Sequence, residues 1–159
     1  MRDADLVHLR RCVELAREAL EAGDEPFGSV LVGPDGTALA EDRNRVNTGS
    51  DATLHLEFAL ARWAAESMPP ADRPGATVYT SGEHCPMCSA AHAWVGLGRI
   101  VYASSSAQLS GWLVEFGERP GPVAALPVAA VAPGVVVEGP APGLDEEVRE
   151  LHRRLHGRG

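Results

Sequence analysis

The sequence predicts an α/β protein, a three-layer α/β/α sandwich with a mixed, about five-stranded sheet. Segments with helical and strand-like patterns alternate along the chain in the order α-β-β-α-β-α-β-α-β-α. The later β-α-β steps favour parallel strands joined by right-handed crossovers, with helices covering the sheet. The 159 residues, 45% of them apolar, are enough for one compact domain spanning residues 1–159.

The first three predicted elements are a helix and a hairpin. Apolar residues recur at helical spacing over residues 3–22, and Gly23 tolerates the left-handed conformation that is common at helix ends. Strands are predicted at residues 27–32 and 37–41. The sequence Pro34-Asp35-Gly36 between them is a turn signal, because proline fixes φ and glycine permits positive φ.

The second predicted helix begins at a cap formed by Asp51 or Thr53 and ends before Pro69. A loop at residues 68–75 follows, because prolines and glycine are frequent there. The next segment, residues 76–81, is rich in residues that favour strands.

The third predicted helix begins at Pro86, because the first helical residue tolerates a missing N–H, and it continues to about Leu97. Residues 117–134 are rich in Pro, Ala and Val and give no prediction. The other predicted elements are a strand at 99–103, a helix at 107–116, a strand at 135–138 and a helix at 144–156.

The charge balance disfavours a long polyanionic partner. The net charge is -8, the pI is about 5.2, and all fourteen basic residues are arginines that form no run. Proteins that bind nucleic acid usually carry a basic stripe, so nucleic acid is an unlikely partner and a small molecule fits better. We expect a cytoplasmic protein without a membrane span, because neither a signal peptide nor an apolar run of about eighteen residues is visible.

Four side chains predict a metal site with chemistry beside it. Cys85 and Cys88 stand three residues apart, and His55 and Glu57 lie about thirty residues upstream. A structural zinc site uses four protein ligands, whereas a catalytic site uses three and keeps one position open. We therefore predict one Zn²⁺ per chain on His55, Cys85 and Cys88, with Glu57 free to move protons. Both ligand segments lie at predicted helix starts, which favour thiolates.

Other interpretations of the polar residues are open at this point. His152 and His156 could complete a structural Cys2His2 site, although their separation from the cysteines far exceeds the usual ~12 to 15 residues. Asn44 could cap a turn. His84 could be a fourth zinc ligand or a surface histidine. Cys12 lies on the apolar face of the first helix and is predicted to pack in the core.

The chain resembles the cytidine deaminase superfamily in several short segments. The His-x-Glu triplet and the Cys-x-x-Cys pair match the signature of zinc deaminases. The match is best to the branch that contains guanine deaminase, yeast-type cytosine deaminase and tRNA adenosine deaminase. It covers about residues 6–103, and the segments that carry it are 26–28, Asn44, 52–57, 79–88 and 100–103.

The resemblance implies roles for individual residues. It implies a cytidine deaminase-like fold and a homodimer, with His55, Cys85 and Cys88 as zinc ligands and Glu57 as the catalytic proton shuttle. The substrate-binding positions that it implies are Asn44, Phe27, Leu56, Glu83 and His84. Leu56 replaces a residue that is usually small, and His84 replaces a residue that is usually proline, so we expect both to border the substrate and alter its choice.

The activity that the resemblance implies is zinc-dependent hydrolytic deamination of a free nucleobase, nucleoside or related heterocycle. Guanine is the first choice and cytosine the second, because the motif resembles both and the acidic chain disfavours tRNA. The alternatives are a tRNA adenosine deaminase and a non-catalytic zinc-stabilised binding module. The presence of Glu57 favours an enzyme over the binding module, because a binding module needs no acid beside an open zinc position.

Overall fold

The computed structural model describes residues 1–156, so the predicted end of the domain at residue 159 lies outside the described residues. Within residues 1–156, the strands are β1 (Gly28–Val32), β2 (Ala38–Arg43), β3 (Thr77–Gly82), β4 (Ile100–Ser104) and β5 (Val137–Glu138). They form one sheet in the order β2-β1-β3-β4-β5. β1 is antiparallel to β2 and β3, whereas β3, β4 and β5 are parallel. The mixed five-stranded sheet is therefore confirmed.

Helices cover both faces of the sheet. They are α1 (Asp3–Glu21), α2 (Leu56–Ser67), α3 (Pro86–Val95), α4 (Ser106–Glu115), α5 (Val128–Val131) and α6 (Leu144–His156), with a 3₁₀ turn at Arg73–Gly75. α1, α4 and α6 share one apolar core with the sheet, and α2 and α3 share another. The three-layer prediction is confirmed. In the part of the chain described here, no helix is long and apolar enough to cross a membrane.

The central strands supply alternate side chains to these two cores. Val30 and Val32 pack towards α1 and α6, whereas Leu31 between them packs towards α2. The alternation follows from strand geometry, because successive side chains point to opposite faces of a sheet. Gly28 marks the closest approach of α1, since a Cβ atom there would overlap the Cys12 carbonyl oxygen and the Leu15 side chain. Cys12 itself is fully buried, as predicted.

A buried network of charged side chains connects α1 to strands β3 and β5 of the sheet. The Asp5 carboxylate accepts hydrogen bonds from Arg99 at 2.8 and 3.1 Å and from the Tyr79 hydroxyl at 2.7 Å. Arg99 also donates to Glu138 on β5. The Arg99 guanidinium holds the pKa of Asp5 well below its usual range, so the carboxyl is ionised although it is buried.

Most predicted elements lie within two residues of the observed bounds. The predicted cap of the second helix is wrong, because His55 is the residue that precedes α2. Asp51 instead accepts hydrogen bonds from the Thr53 N–H and hydroxyl at 2.8 and 2.7 Å, which stabilises a turn upstream of the helix. α3 ends at Gly96 in the left-handed conformation. The segment without a prediction contains the short helix α5.

The topology brings four segments of the chain to one edge of the sheet. β3 and β4 are parallel, so Glu83 and Ser105, which follow them, lie at the same edge. β1 runs in the opposite direction and pairs Gly28 with Arg43 of β2. Phe27, just before β1, and Asn44, just after β2, therefore reach that edge as well. In open α/β sheets, ligands bind beyond the carboxyl ends of the parallel strands.

Candidate active site

Three predicted ligands converge at this edge of the sheet. The Nδ1 atom of His55 lies 3.5 Å from Cys85 Sγ and 3.7 Å from Cys88 Sγ. All three donor atoms lie within 4.8 Å of one another. Cys88 is buried, whereas His55 and Cys85 are half-buried and face a cavity. The structure thus brings together the residues that were separated by about thirty positions in the sequence.

Two helix starts hold these donors in place. His55 precedes α2 and Cys85 precedes α3, both in extended backbone conformation, and Pro86 provides the first residue of α3. Cys88 lies in the first turn of α3, where its backbone N–H belongs to the positive end of the helix. α2 and α3 pack side by side on one face of the sheet, so their first turns are neighbours.

The donor set and its spacing fit a zinc ion. Two thiolate sulfurs and one imidazole nitrogen are ligands that zinc prefers, with bonds of about 2.3 and 2.1 Å. Tetrahedral geometry with such bonds separates sulfur from nitrogen by about 3.6 Å, close to the 3.5 and 3.7 Å observed. The hydrogen bond from Cys88 lowers the pKa of the Cys85 thiol to about 4, with His55 acting in the same direction. The site therefore already favours a thiolate.

The Glu57 carboxyl lies beside this triad and is only 6% exposed. It is the second residue of α2, and it lines the cavity together with His55. Burial raises its pKa to about 7, because the charged form loses hydration. Thr80 Oγ1, at 3.4 Å, is a distant partner, and the Thr80 hydroxyl makes a shorter bond of 2.8 Å to the Gly82 carbonyl oxygen. A cation at the triad acts in the opposite direction and favours the carboxylate.

A cavity of about 480 Å³ opens from the triad. The predicted positions Phe27, Asn44, Leu56, Glu57 and Glu83 all line it, together with His55 and Cys85. The remaining lining residues come mainly from α4 and the segment that follows it. This part of the lining, formed by α4 and the segment that follows it, was not predicted from the sequence. The Leu109 and Leu113 pair, four residues apart on α4, is the signal that could have indicated it.

Asn44 combines two of the roles that were open from the sequence. Its Oδ1 atom accepts a hydrogen bond from the Val46 N–H at 3.0 Å, which is the turn-capping role. Its side chain also lines the cavity and is almost completely buried. Oδ1 has one hydrogen bond to the backbone, and the two amide N–H groups of Asn44 have no hydrogen-bond acceptor among the described residues.

The Glu83 side chain points towards the starts of two helices, α4 and α5. Its two carboxylate oxygens accept hydrogen bonds from the Ser106 N–H at 2.9 Å and the Val128 N–H at 2.8 Å. Ser106 begins α4 and Val128 begins α5. The carboxylate thus satisfies two N–H groups that have no partner within their own helices.

The expectation that the His84 side chain borders the ligand needs correction. His84 is 1% exposed, is not among the residues that line the cavity, and packs edge-on against His92 at 5.4 Å. Neither ring nitrogen has a hydrogen-bond partner among the described residues. Burial holds the pKa of His84 well below its usual range. The backbone is extended at Cys85, so adjacent side chains point to opposite sides. The His84 ring is neither a ligand nor a surface group.

The Cys2His2 interpretation is also wrong. His152 is on α6, which packs on the face of the sheet opposite α3. Its ring lies 5.0 Å from the Phe27 ring and 6.2 Å from that of Trp112. His152 is therefore a buried packing residue behind one wall of the cavity. Burial lowers its pKa to about 3, so the ring is neutral.

The fold and the site together define a class of protein. A buried carboxylate beside a three-ligand His-Cys-Cys site, at the ligand-binding edge of an α/β sheet, is the arrangement of zinc deaminases. Residues 2–104 match the family described as "Cytidine and deoxycytidylate deaminase zinc-binding region". The chain belongs to this family.

Three similar proteins are named as deaminases and differ in what their names say they act on. The chain is 31% identical over 118 residues to a probable cytosine deaminase from Schizosaccharomyces pombe, covering 74% of this chain and 71% of that protein. It is 39% identical over 97 residues to guanine deaminase from Bacillus subtilis, covering 60% and 62%. A structure from a study of A-to-I editing by tRNA:A34 deaminases has a TM-score of 0.66 at 28% identity, covering 92% of this chain and 99% of that chain.

Family membership and these relatives identify the chain as a zinc-dependent hydrolytic deaminase. The predicted family, the predicted fold and the predicted zinc cofactor are confirmed. An enzyme is favoured over the non-catalytic zinc-stabilised module.

Proposed function

We propose that this enzyme replaces an exocyclic amino group of a nucleobase-like heterocycle with a carbonyl group and releases ammonia. The observation that carries the proposal is the position of Glu57, a buried carboxyl beside three ligands that leave a fourth position open. His55, Cys85 and Cys88 would hold a zinc ion, which would lower the pKa of a bound water from about 15.7 towards ~7. The proposal treats the chain as a single zinc deaminase domain.

Glu57 moves the protons of this reaction. As a carboxylate it accepts a proton from the attacking water and gives it to the ring nitrogen next to the reacting carbon, while the new C–O bond forms. It then accepts the remaining proton of the oxygen and delivers it to the amino group. The C–N bond breaks and ammonia leaves, so one water is consumed for each ammonia released. A carboxyl group can both accept and donate a proton, as these two steps require.

Other residues of the cavity hold the heterocycle. The Asn44 amide N–H groups donate to a carbonyl oxygen or ring nitrogen, because Oδ1 is already held by Val46. Phe27 packs against the ring, and the His152 ring supports Phe27 from behind. The backbone at Leu56 and Glu83 is close enough to the triad to meet the polar edge of a ring, since both residues line the cavity.

Guanine is the first choice of substrate and cytosine the second, with support from the two relatives named for these bases. A tRNA substrate is the alternative, with support from the structure of the tRNA:A34 deaminase study. The net charge of -8 favours the free base, because tRNA affinity depends on phosphate neutralisation.

Measuring ammonia release from guanine, cytosine, adenine and their nucleosides tests the proposal. We expect turnover of at least one of these by the zinc-loaded protein and none by the metal-free protein. Inosine formation in tRNA, without turnover of any free base or nucleoside, would select the alternative. Zinc-loaded protein that releases no ammonia and forms no inosine would overturn the proposal.

We also propose a cytoplasmic homodimer. The three cysteines of each chain are free thiols, which fits a reducing compartment. Trp94 on α3 is 90% exposed, and aromatic side chains are enriched in the centres of protein interfaces. Sedimentation of the wild type and Trp94→Glu tests the dimer, with Val7→Glu as a control at an exposed position on α1. A monomeric wild type, or a Trp94→Glu dimer of unchanged affinity, would contradict a dimer through this face.

A further inference from the structure

The cavity continues beyond the space that a bare base occupies. One part of it is lined by His55, Cys85, Glu57 and Asn44, and another part is an apolar vestibule formed by α4 and the segment after it. The vestibule residues are Leu109, Leu113, Val114, Val123 and Leu126. The cavity volume of about 480 Å³ lies in the range of pockets that bind drug-sized ligands, which are much larger than cytosine or guanine.

The vestibule presents apolar side chains to water. Val114, Val123 and Leu126 are 73%, 62% and 44% exposed. A ligand held at the triad through its ring could cover these side chains only with a further group attached to that ring. Removing them from water together with an apolar group of the ligand is favourable, because the hydrophobic effect scales with the apolar area buried.

The charges around the vestibule argue against a phosphate in this position. Besides Glu57 and Glu83, two carboxylates, Glu25 and Glu118, line the cavity with one cation, Arg119, among the described residues. Glu118 Oε1 lies 3.2 Å from His156 Nδ1. Phosphate recognition usually relies on clustered arginines or lysines. This chain has no lysine, and the lining offers no such cluster.

We propose that the physiological substrate is an uncharged aminoheterocycle that carries an apolar substituent, and that the apolar vestibule binds this substituent. The proposal rests on the deaminase function proposed above and extends its candidate bases, guanine and cytosine, to derivatives that carry such a substituent. The reaction at the ring carbon is unchanged, with one water consumed and one ammonia released. The substituent contributes binding energy at a distance from the reacting atoms, which can be used to orient the ring.

Matched pairs of substrates test the proposal. Guanine and cytosine are each compared with derivatives that carry methyl, benzyl, ribose or ribose monophosphate on the ring nitrogen that bears ribose in nucleosides. We expect kcat/KM for the benzyl derivative of the preferred base to exceed that for the methyl derivative by about tenfold or more. This ratio is smaller than the full effect of burying a phenyl ring. The monophosphate is expected to be the poorest substrate.

Variants locate the effect in the vestibule. V123S/L126S should bring the benzyl-to-methyl ratio close to one, and Val114→Ser should lower it independently. The matched control is Val7→Ser, because Val7 is a similarly exposed valine on α1 outside the cavity. Zinc content and melting temperature identify any variant that fails to fold.

Direct binding separates this proposal from the proposed function. Calorimetry with zinc-loaded Glu57→Gln measures the dissociation constants of the same pairs without needing turnover. Tighter binding of benzyl derivatives with no ammonia from any compound in the wild type would support the vestibule and overturn the deaminase proposal. Turnover without a benzyl preference, or with the monophosphate preferred, would overturn the vestibule proposal alone. Dissociation of a dimer by V123S/L126S with an unchanged ratio would identify the vestibule as an interface and also overturn it.

Discussion

Glu83 Oε1 accepts a hydrogen bond from the Ser106 backbone N–H at 2.9 Å and so joins the segment after β3 to the start of α4. The second carboxylate oxygen holds the Val128 N–H at 2.8 Å. Glu83 directly precedes the His84-Cys85 part of the metal motif. One side chain therefore fixes the distance between the triad and the wall of the cavity that α4 forms.

Replacing the Glu83 carboxylate should make α4 and the region near Val128 more mobile. In Glu83→Gln, one of the two N–H groups faces an amide NH₂ instead of an acceptor, so we expect a loss of about 1–3 kcal/mol of unfolding free energy. Hydrogen exchange should accelerate in α4 and near Val128. Glu115→Gln is the control, because its exposed pair with Arg149 is worth only about 0–1 kcal/mol. Equal exchange in the two variants would contradict this role.

Glu57→Gln should abolish most turnover while the metal stays bound. Glutamine has a similar shape but cannot take up a proton, so ammonia release should fall by about 10²- to 10⁴-fold. Zinc content, measured by atomic absorption, should remain that of the wild type. Glu66→Gln is the matched control, because Glu66 is an exposed carboxylate near the other end of α2. Full activity of Glu57→Gln would remove Glu57 from the mechanism.

The zinc stoichiometry should depend on Cys88 and be independent of Cys12. A serine hydroxyl is a much poorer zinc ligand than a thiolate, so Cys88→Ser should lose most of the metal and the activity. Cys12→Ala removes a buried thiol of the α1 core and should reduce stability without reducing the zinc content. Comparing zinc per chain in the two purified variants gives the result. Equal zinc in both would rule out Cys88 as a ligand.

The Asp5 network should make the protein sensitive to acid. A carboxyl whose pKa is lowered by folding stabilises the native state above its unfolded pKa of about 3.9. This contribution is lost as the pH falls through the lower folded pKa. Asp5→Asn should therefore cost about 3 kcal/mol near neutral pH and flatten the acid limb of the stability curve.

Urea titrations at several pH values measure this dependence. Asp3→Asn provides the control, because Asp3 is an exposed acid in the same first turn of α1 and should contribute well under 1 kcal/mol. The interpretation would be wrong if Asp5→Asn and the wild type lost stability in parallel as the pH is lowered.

Several features of this protein follow from local patterns in the sequence. The strands and helices were predictable because turn residues, Pro86 and apolar periodicity act over a few neighbouring residues. The ligand triad and Glu57 were predictable because zinc chemistry restricts the residue types, and because helix starts place such residues at one edge of a sheet. The Asp51 and Thr53 cap was mispredicted, because these two residues satisfy each other's hydrogen bonds in a turn.

The tertiary structure decided the surroundings of the triad. His84 is adjacent to a zinc ligand in sequence, yet its ring packs against His92 because successive side chains diverge where the chain leaves β3. Glu83 holds two helix starts, at residues 106 and 128. Val123 and Leu126 of the vestibule come from a segment that gave no prediction. These contacts join residues that are far apart in the chain. Their geometry depends on how the layers pack, which local propensity does not encode. The sequence by itself determined the chemistry at the metal, and the packing of α4 and its following segment decided the shape of the space beside it.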